Sequence, residues 1–227
     1  MDQPVTDLPG PERADRQEWL MDADDPALTD GRMAAVADPA RPDRLAWNAL
    51  RTLALWNTEA WAPRLLEIAC GEGSRLAVVE WDGGAVVPWA TDLPGDDMCD
   101  VALVGPAAYV VLACTFDAGV SLEQLRAAAM AALDGSLHEG REAGLVVVAP
   151  PDSYDLRERL EQATDVELHE GRTAFELLDG ALGWISWPEL GALAADLVEE
   201  TRSDNELNET VHRLITDIQA RFPAEEI

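Results

Sequence analysis

The chain predicts an α/β fold: a central mixed sheet of about four to five strands flanked by helices, with a helical region at the C-terminal end. Three observations lead to this. Residues 99–104 and 108–116 are short apolar segments joined by a turn, the pattern of two paired strands. Residues 121–138 then place Leu122, Leu125, Ala129 and Leu133 on one helical face, behind a Ser121–Gln124 capping box. Residues 144–149 follow as GLVVVA, a fully apolar run of strand length that suits a sheet covered on both faces. A strand, an amphipathic helix and a buried strand imply a crossover joining parallel strands.

The chain has 227 residues, 48% of them hydrophobic, which suits one domain of moderate size. No apolar run approaches the roughly 20 residues that a membrane span requires. Residues 1–20 show no basic segment followed by an apolar one, so no secretion signal is expected. Cys70, Cys99 and Cys114 are an odd set without CxxC spacing. They read as reduced, buried thiols in a cytoplasmic protein.

Charge is the sharpest feature of the composition. Forty-four acids stand against sixteen bases, a formal net charge of −28, and every base is an arginine. Nucleic-acid affinity comes largely from cations neutralising phosphates, so this balance disfavours an ordinary nucleic-acid surface. Adaptation to a salt-rich cytoplasm, solubility in a high-GC prokaryote, or an acidic face for a basic partner would each account for it.

Taken in order, residues 1–41 are rich in acids and prolines and lack a sustained apolar period, so they are expected as a flexible or loosely docked arm. Within it, residues 17–21 suit a short docking helix. A single α/β domain is expected over 42–221 and a frayed tail over 222–227. Asp43 is placed as the cap of a helix over 44–56, with Trp47, Leu50, Leu53 and Ala54 on one face. Pro63 fits the first turn of a second helix ending near Cys70. Trp47, Trp56 and Trp61 sit at helical spacing beside leucines and read as core rather than as a base-stacking platform. Residues 75–81 (RLAVVEW) are expected as the first strand, and residues 92–97 as an acid-rich turn without the ligand spacing of a calcium loop. Beyond 149, helices are expected from 152 or 153 to 162 and over 172–179, with a short edge strand over 165–169. The stretch from Gly183 to Leu190, with a Ser186–Glu189 capping box, leads into closing helices.

Chemistry is sought where an acid opens one strand and polar groups end the next. Two carboxylates and a lysine so placed hold a magnesium ion and activate water for attack on phosphate. Here Asp100 opens the first strand, while Ala113 and Thr115 stand where a second carboxylate and a lysine would. No phosphate-binding glycine loop and no HExxH are present. His138, His169 and His212 are isolated, and neither Ser153 nor Ser186 has a GxSxG setting.

At these residues the chain resembles the restriction-endonuclease-like PD-(D/E)XK superfamily, over roughly residues 43–200. The pieces are LAWNALR from Leu45, DVAL from Asp100, VVLACTF from Val110, EQLR from Glu123 and the Gly183-Trp184 to Trp187 element. The resemblance implies that Asp100 corresponds to the metal-binding acid. Ala113 replaces the glutamate and Thr115 the lysine, and the lysine-free chain excludes a migrated lysine. A rescued site would draw on Asp100 with Asp117 or Glu123, joined by Asp43 and Arg126. The resemblance therefore implies a catalytically inactive nuclease-fold protein acting as a binding or regulatory subunit in a prokaryotic, defence-related system, with a protein partner, no membrane and no cofactor. One alternative is a residual magnesium-dependent endonuclease using Asp100, Asp117 and Glu123, with Asp100 and Asp117 on the metal. Another is an acidic inhibitor, immunity protein or nucleic-acid mimic.

Overall fold

The computed structural model describes residues 41–88, 93, 98–168, 171–201 and 205–223. The expected arm over 1–41 therefore lies almost wholly outside the described residues, as do most of the acid-rich turn at 92–97 and the end of the tail.

Two helices, α1 (Pro42–Leu53) and α2 (Thr58–Cys70), precede the strands β1 (Ala85–Pro88), β2 (Met98–Val104) and β3 (Ala108–Thr115). Helix α3 (Leu122–Glu139) leads to β4 (Glu142–Ala149). Two short helices, α4 (Leu156–Thr164) and α5 (Ala174–Leu178), lead to β5 (Leu182–Ser186). The chain closes with α6 (Trp187–Thr201) and α7 (Asn205–Arg221). The five strands form one mixed sheet in sequential order. β1, β2 and β3 are an antiparallel meander, whereas β3, β4 and β5 run parallel. The α/β expectation is met, with C-terminal helices and helices on both faces.

The sheet's two faces bury different side chains because successive strand residues point to opposite sides. Cys99, Val101, Leu103, Val110, Leu112, Val146 and Ile185 pack against α1, α2, α6 and α7. Ala102, Val111, Ala113, Leu145 and Val147 pack against α3, α4 and α5. Leu125, Ala128, Ala129 and Ala132 give α3 a small-residue face that lies close to the strands. Its capping box forms as expected, and Gly140 ends it in the left-handed conformation at φ +64°. On the other face β5 approaches α2 so closely that a Cβ on Gly183 would lie 2.2 Å from the Ala69 carbonyl oxygen.

Several elements differ from expectation. α1 begins at Pro42, with Arg41 at the cap position, because proline's fixed φ suits the first helical turn; Asp43 is already helical and pairs with Arg41. α2 begins five residues before Pro63, capped by Asn57, whose side chain accepts from the Glu59 amide. Residues 75–81 do not form a strand. Leu76 and Trp81 are buried, but Val78 between them is 81% exposed, so burial recurs at five residues rather than two. Trp81 Nε1 donates to the Leu76 carbonyl at 2.9 Å and closes the segment on itself. The expected edge strand at 165–169 reduces to one bridge, Glu167 with Thr173. The fifth strand is instead β5, beside β4, in a stretch expected only to lead into a helix. The Ser186–Glu189 box does cap α6, with Ser186 N donating to Glu189 at 2.8 Å.

Candidate functional site

Asp100 faces Ala113 directly across the β2–β3 pair, and Met98 faces Thr115. Directly opposed residues of an antiparallel pair have Cβ atoms about 5 Å apart. Strand alternation then puts Asp100, Ala113 and Thr115 on one face, the one covered by α3. All three are buried. The acid and the two positions singled out in the sequence are thus neighbours, but two of them carry no charged group. Thr115 Oγ1 accepts from the Asp117 amide at 3.0 Å, so this hydroxyl shapes the turn after β3. The Thr115 carbonyl accepts from Trp187 Nε1 at 2.8 Å, which anchors the end of β3 to α6. Burial, then the charges of Asp100 and Glu139, raise the pKa of Tyr109 above its usual 10.0.

The other candidates go elsewhere. Asp117 is exposed, and its Oδ1 accepts from Gly119 N at 2.7 Å, turning the carboxylate into its own loop. Arg159 of α4 clamps that loop, donating to the carbonyls of Ala118, Gly119 and Val120. Glu123 is exposed in the first turn of α3, where its charge favours the helix N-terminus. Arg126 Nε donates to the Ala163 carbonyl at 3.4 Å and ties α3 to α4. Asp43 belongs to α1, on the opposite side of the sheet from Asp100.

Among the described residues, no three His, Cys, Asp or Glu side chains are grouped to hold a metal ion. The donors around Asp100 do not fit the magnesium ion that the resemblance implies, because its direct partner across the strands is a methyl group. His138 is exposed and its Nδ1 lies 2.9 Å from the Asp134 carbonyl; His212 is exposed, and His169 lies outside the described residues. Cys99 and Cys114 are free, buried and directly opposed across β2 and β3. A hydrogen bond with Cys114, and then burial, push the Cys99 thiol well above its usual 9.0. Burial likewise pushes Cys70 up to about 11. Cys99 and Cys70 therefore stay protonated near neutrality, which suits packing rather than nucleophilic chemistry.

A second location emerges only from the fold. Beside the carboxyl end of β3, a cavity of about 290 Å³ opens between the start of α1 and the end of α7. Arg41, Arg44 and Asn48 line it from α1, Asp217 and Arg221 from α7, and Phe116 from the residue after β3. Arg221 lies over the Phe116 ring, 4.4 Å from its centroid. Phe116 in turn packs edge-on against Trp187 and Phe222. The sequence contained one local hint. Arg44 has Asn48 rather than an acid four residues on, whereas Arg213 has Glu209 four residues back and pairs with it. Arg221 joins the cavity only because the closing helix returns to α1.

Comparisons with protein-family models, with curated proteins and with solved structures return no match.

Proposed function

We propose that this chain is a non-catalytic binding or regulatory subunit built on a nuclease-like α/β scaffold. One observation supports this most directly. Asp100, which the resemblance takes as the metal acid, stands on an antiparallel strand pair, yet its cross-strand partner is Ala113 and the next residue on that face is Thr115. The Thr115 hydroxyl serves the following turn, and Asp117 is committed to its own loop. The meander β1–β2–β3, followed by a helix and parallel strands, is the mixed arrangement in which such an acid and its partners share one sheet face. The partner is a protein with a basic surface, since a net charge of −28 attracts cations over the whole molecule. Membership of a prokaryotic defence system is part of the same proposal and rests on the sequence resemblance.

The test is cleavage of single- and double-stranded DNA and RNA with magnesium or manganese, beside an Asp100→Ala control. No cleavage by either protein is the expected result. Cleavage that Asp100→Ala abolishes would establish the rival reading, a residual nuclease. Purification from the native host should also yield a stoichiometric complex, and a lone monomer would count against the proposal.

The charge favours a second reading, an inhibitor or nucleic-acid mimic that covers a basic surface. It requires tight binding that weakens steeply between low and high salt. Binding indifferent to salt would remove it.

A further inference from the structure

We infer that the cavity between α1 and α7 is a binding site for a small phosphate-bearing ligand, held by Arg44, Arg221 and Asn48. It lies on the α1 side of the sheet, away from Asp100, and is independent of the reading above.

The first support is electrostatic. In a chain with 44 acids and 16 bases, three arginines line one cavity of about 290 Å³. Arg41 is paired with Asp43 at 3.0 Å. Arg44 and Arg221 make no ion pair among the described residues, although Asp217 sits one helical turn before Arg221 and lines the same cavity. Arg221 lies instead over the Phe116 ring, a contact that holds the guanidinium at the cavity wall and leaves its N–H edge available.

The second support is Asn48. It is only 6% exposed and lines the cavity, yet its side-chain amide has no hydrogen-bond partner among the described residues. The amide faces the open cavity rather than being sealed from solvent, so it can take a partner there. A ligand oxygen in the cavity would supply that partner. The cavity also adjoins the first turns of α1, where free backbone amides and the helix dipole favour negative charge.

The donor geometry selects the ligand class. Arg44 and Asn48 lie one turn apart on α1 and Arg221 lines the cavity from α7, so two guanidinium groups and an amide offer more donors than the two oxygens of a carboxylate can take up, which suits a phosphate. Asp217 opposes any anion, so the two free arginines must outweigh it, and a dianion gains more from them than a monoanion. At about 290 Å³ the cavity exceeds a single oxyanion, and Leu45 and Phe116 contribute apolar wall for an organic group attached to the phosphate.

The test is calorimetric titration of the full-length chain with inorganic phosphate, glycerol phosphate and acetate at matched ionic strength. One saturable site for both phosphates is expected, at least tenfold tighter than any binding of acetate. Arg44→Ala and Arg221→Ala, the first at a half-buried and the second at an exposed residue, should each weaken phosphate at least tenfold while leaving the unfolding temperature nearly unchanged. Arg64→Ala, at a surface ion pair of α2 with α6, should leave binding as it was. No saturable heat with either phosphate would overturn the proposal. So would binding that survives the Arg44→Ala/Arg221→Ala double variant, or acetate bound as tightly as phosphate. A short oligonucleotide without terminal phosphate that binds as tightly as glycerol phosphate would overturn the small-ligand assignment.

Discussion

The two faces of the sheet use their polar residues in opposite ways. On the α3 face Asp100, Ala113 and Thr115 are buried beneath a small-residue helix, and the Thr115 hydroxyl is taken up by the adjoining turn. On the α1 face the aromatic core of Phe116, Trp187 and Phe222 ends at an open cavity, lined by the Asn48 side chain and by two arginines that make no ion pair among the described residues. The face whose sequence looks like a nuclease site is thus the one closed by packing. The face with no motif keeps unspent polar groups. A sequence pattern marks where strands lie, whereas available chemistry depends on which groups the packing leaves unsatisfied.

The largest expected effect breaks the closed face. Ala113→Glu places a second carboxylate opposite Asp100 at a fully buried position and should destabilise the protein by about 4 kcal/mol, measured by urea unfolding. Partial recovery on adding magnesium would mean that the scaffold still has the geometry of a metal site, and would strengthen the nuclease-like reading.

The next compares how tightly each face is packed. Gly183→Ala drives a methyl into the Ala69 backbone carbonyl and should cost about 3 kcal/mol, because backbone cannot step aside. Gly135→Ala meets the Tyr109 ring at 2.3 Å and should cost less, since a side chain can rotate away. If the order of the two unfolding midpoints were reversed, α2 rather than Tyr109 would be the yielding element.

Trp187→Phe removes the 2.8 Å bond to the Thr115 carbonyl and leaves a buried acceptor unmet, an expected loss of about 2 kcal/mol by the same measurement.

A smaller effect comes from alkali. Cys70, Cys99 and Tyr109 all have raised pKa values, so the fold favours their neutral forms. That stabilisation is complete below pH 9 and is lost as pH rises toward 11. For Cys70 alone the loss should be about 1 kcal/mol at roughly pH 10. Unfolding free energies measured between pH 7 and 10 check it, and a flat profile would mean that these groups are as solvated in the folded chain as in the unfolded one. The smallest stability change, under about 0.5 kcal/mol, is expected for Arg44→Ala, whose effect should appear in phosphate binding instead.

Much of the fold was legible because local pattern and tertiary role agreed. β2, β3, α3 and β4 were found within two residues of their ends, since apolar strand runs and the Ser121 capping box act locally. Residues 75–81 misled because an apolar run satisfies a strand pattern equally well when only Leu76 and Trp81 are fully buried. β5 was missed because Gly183 is a weak strand residue, chosen here for the close approach of α2. The adjacency of Asp100, Ala113 and Thr115 followed from strand pairing. The fates of Asp117 and Glu123 did not, because a loop hydrogen bond and the direction of a helix face decide them.

By itself the sequence determined the α/β class, the paired strands at the centre, the caps of α3 and α6, and the uncharged residues Ala113 and Thr115 beside Asp100. Those properties reside in residue type and short-range spacing. Only the tertiary structure decided that Asp43 and Asp100 lie on opposite sides of the sheet. It alone brought Arg221 from the last helix to Arg44 and Asn48 in the first. Convergence of distant side chains depends on how helices pack over the sheet, and no local spacing encodes it.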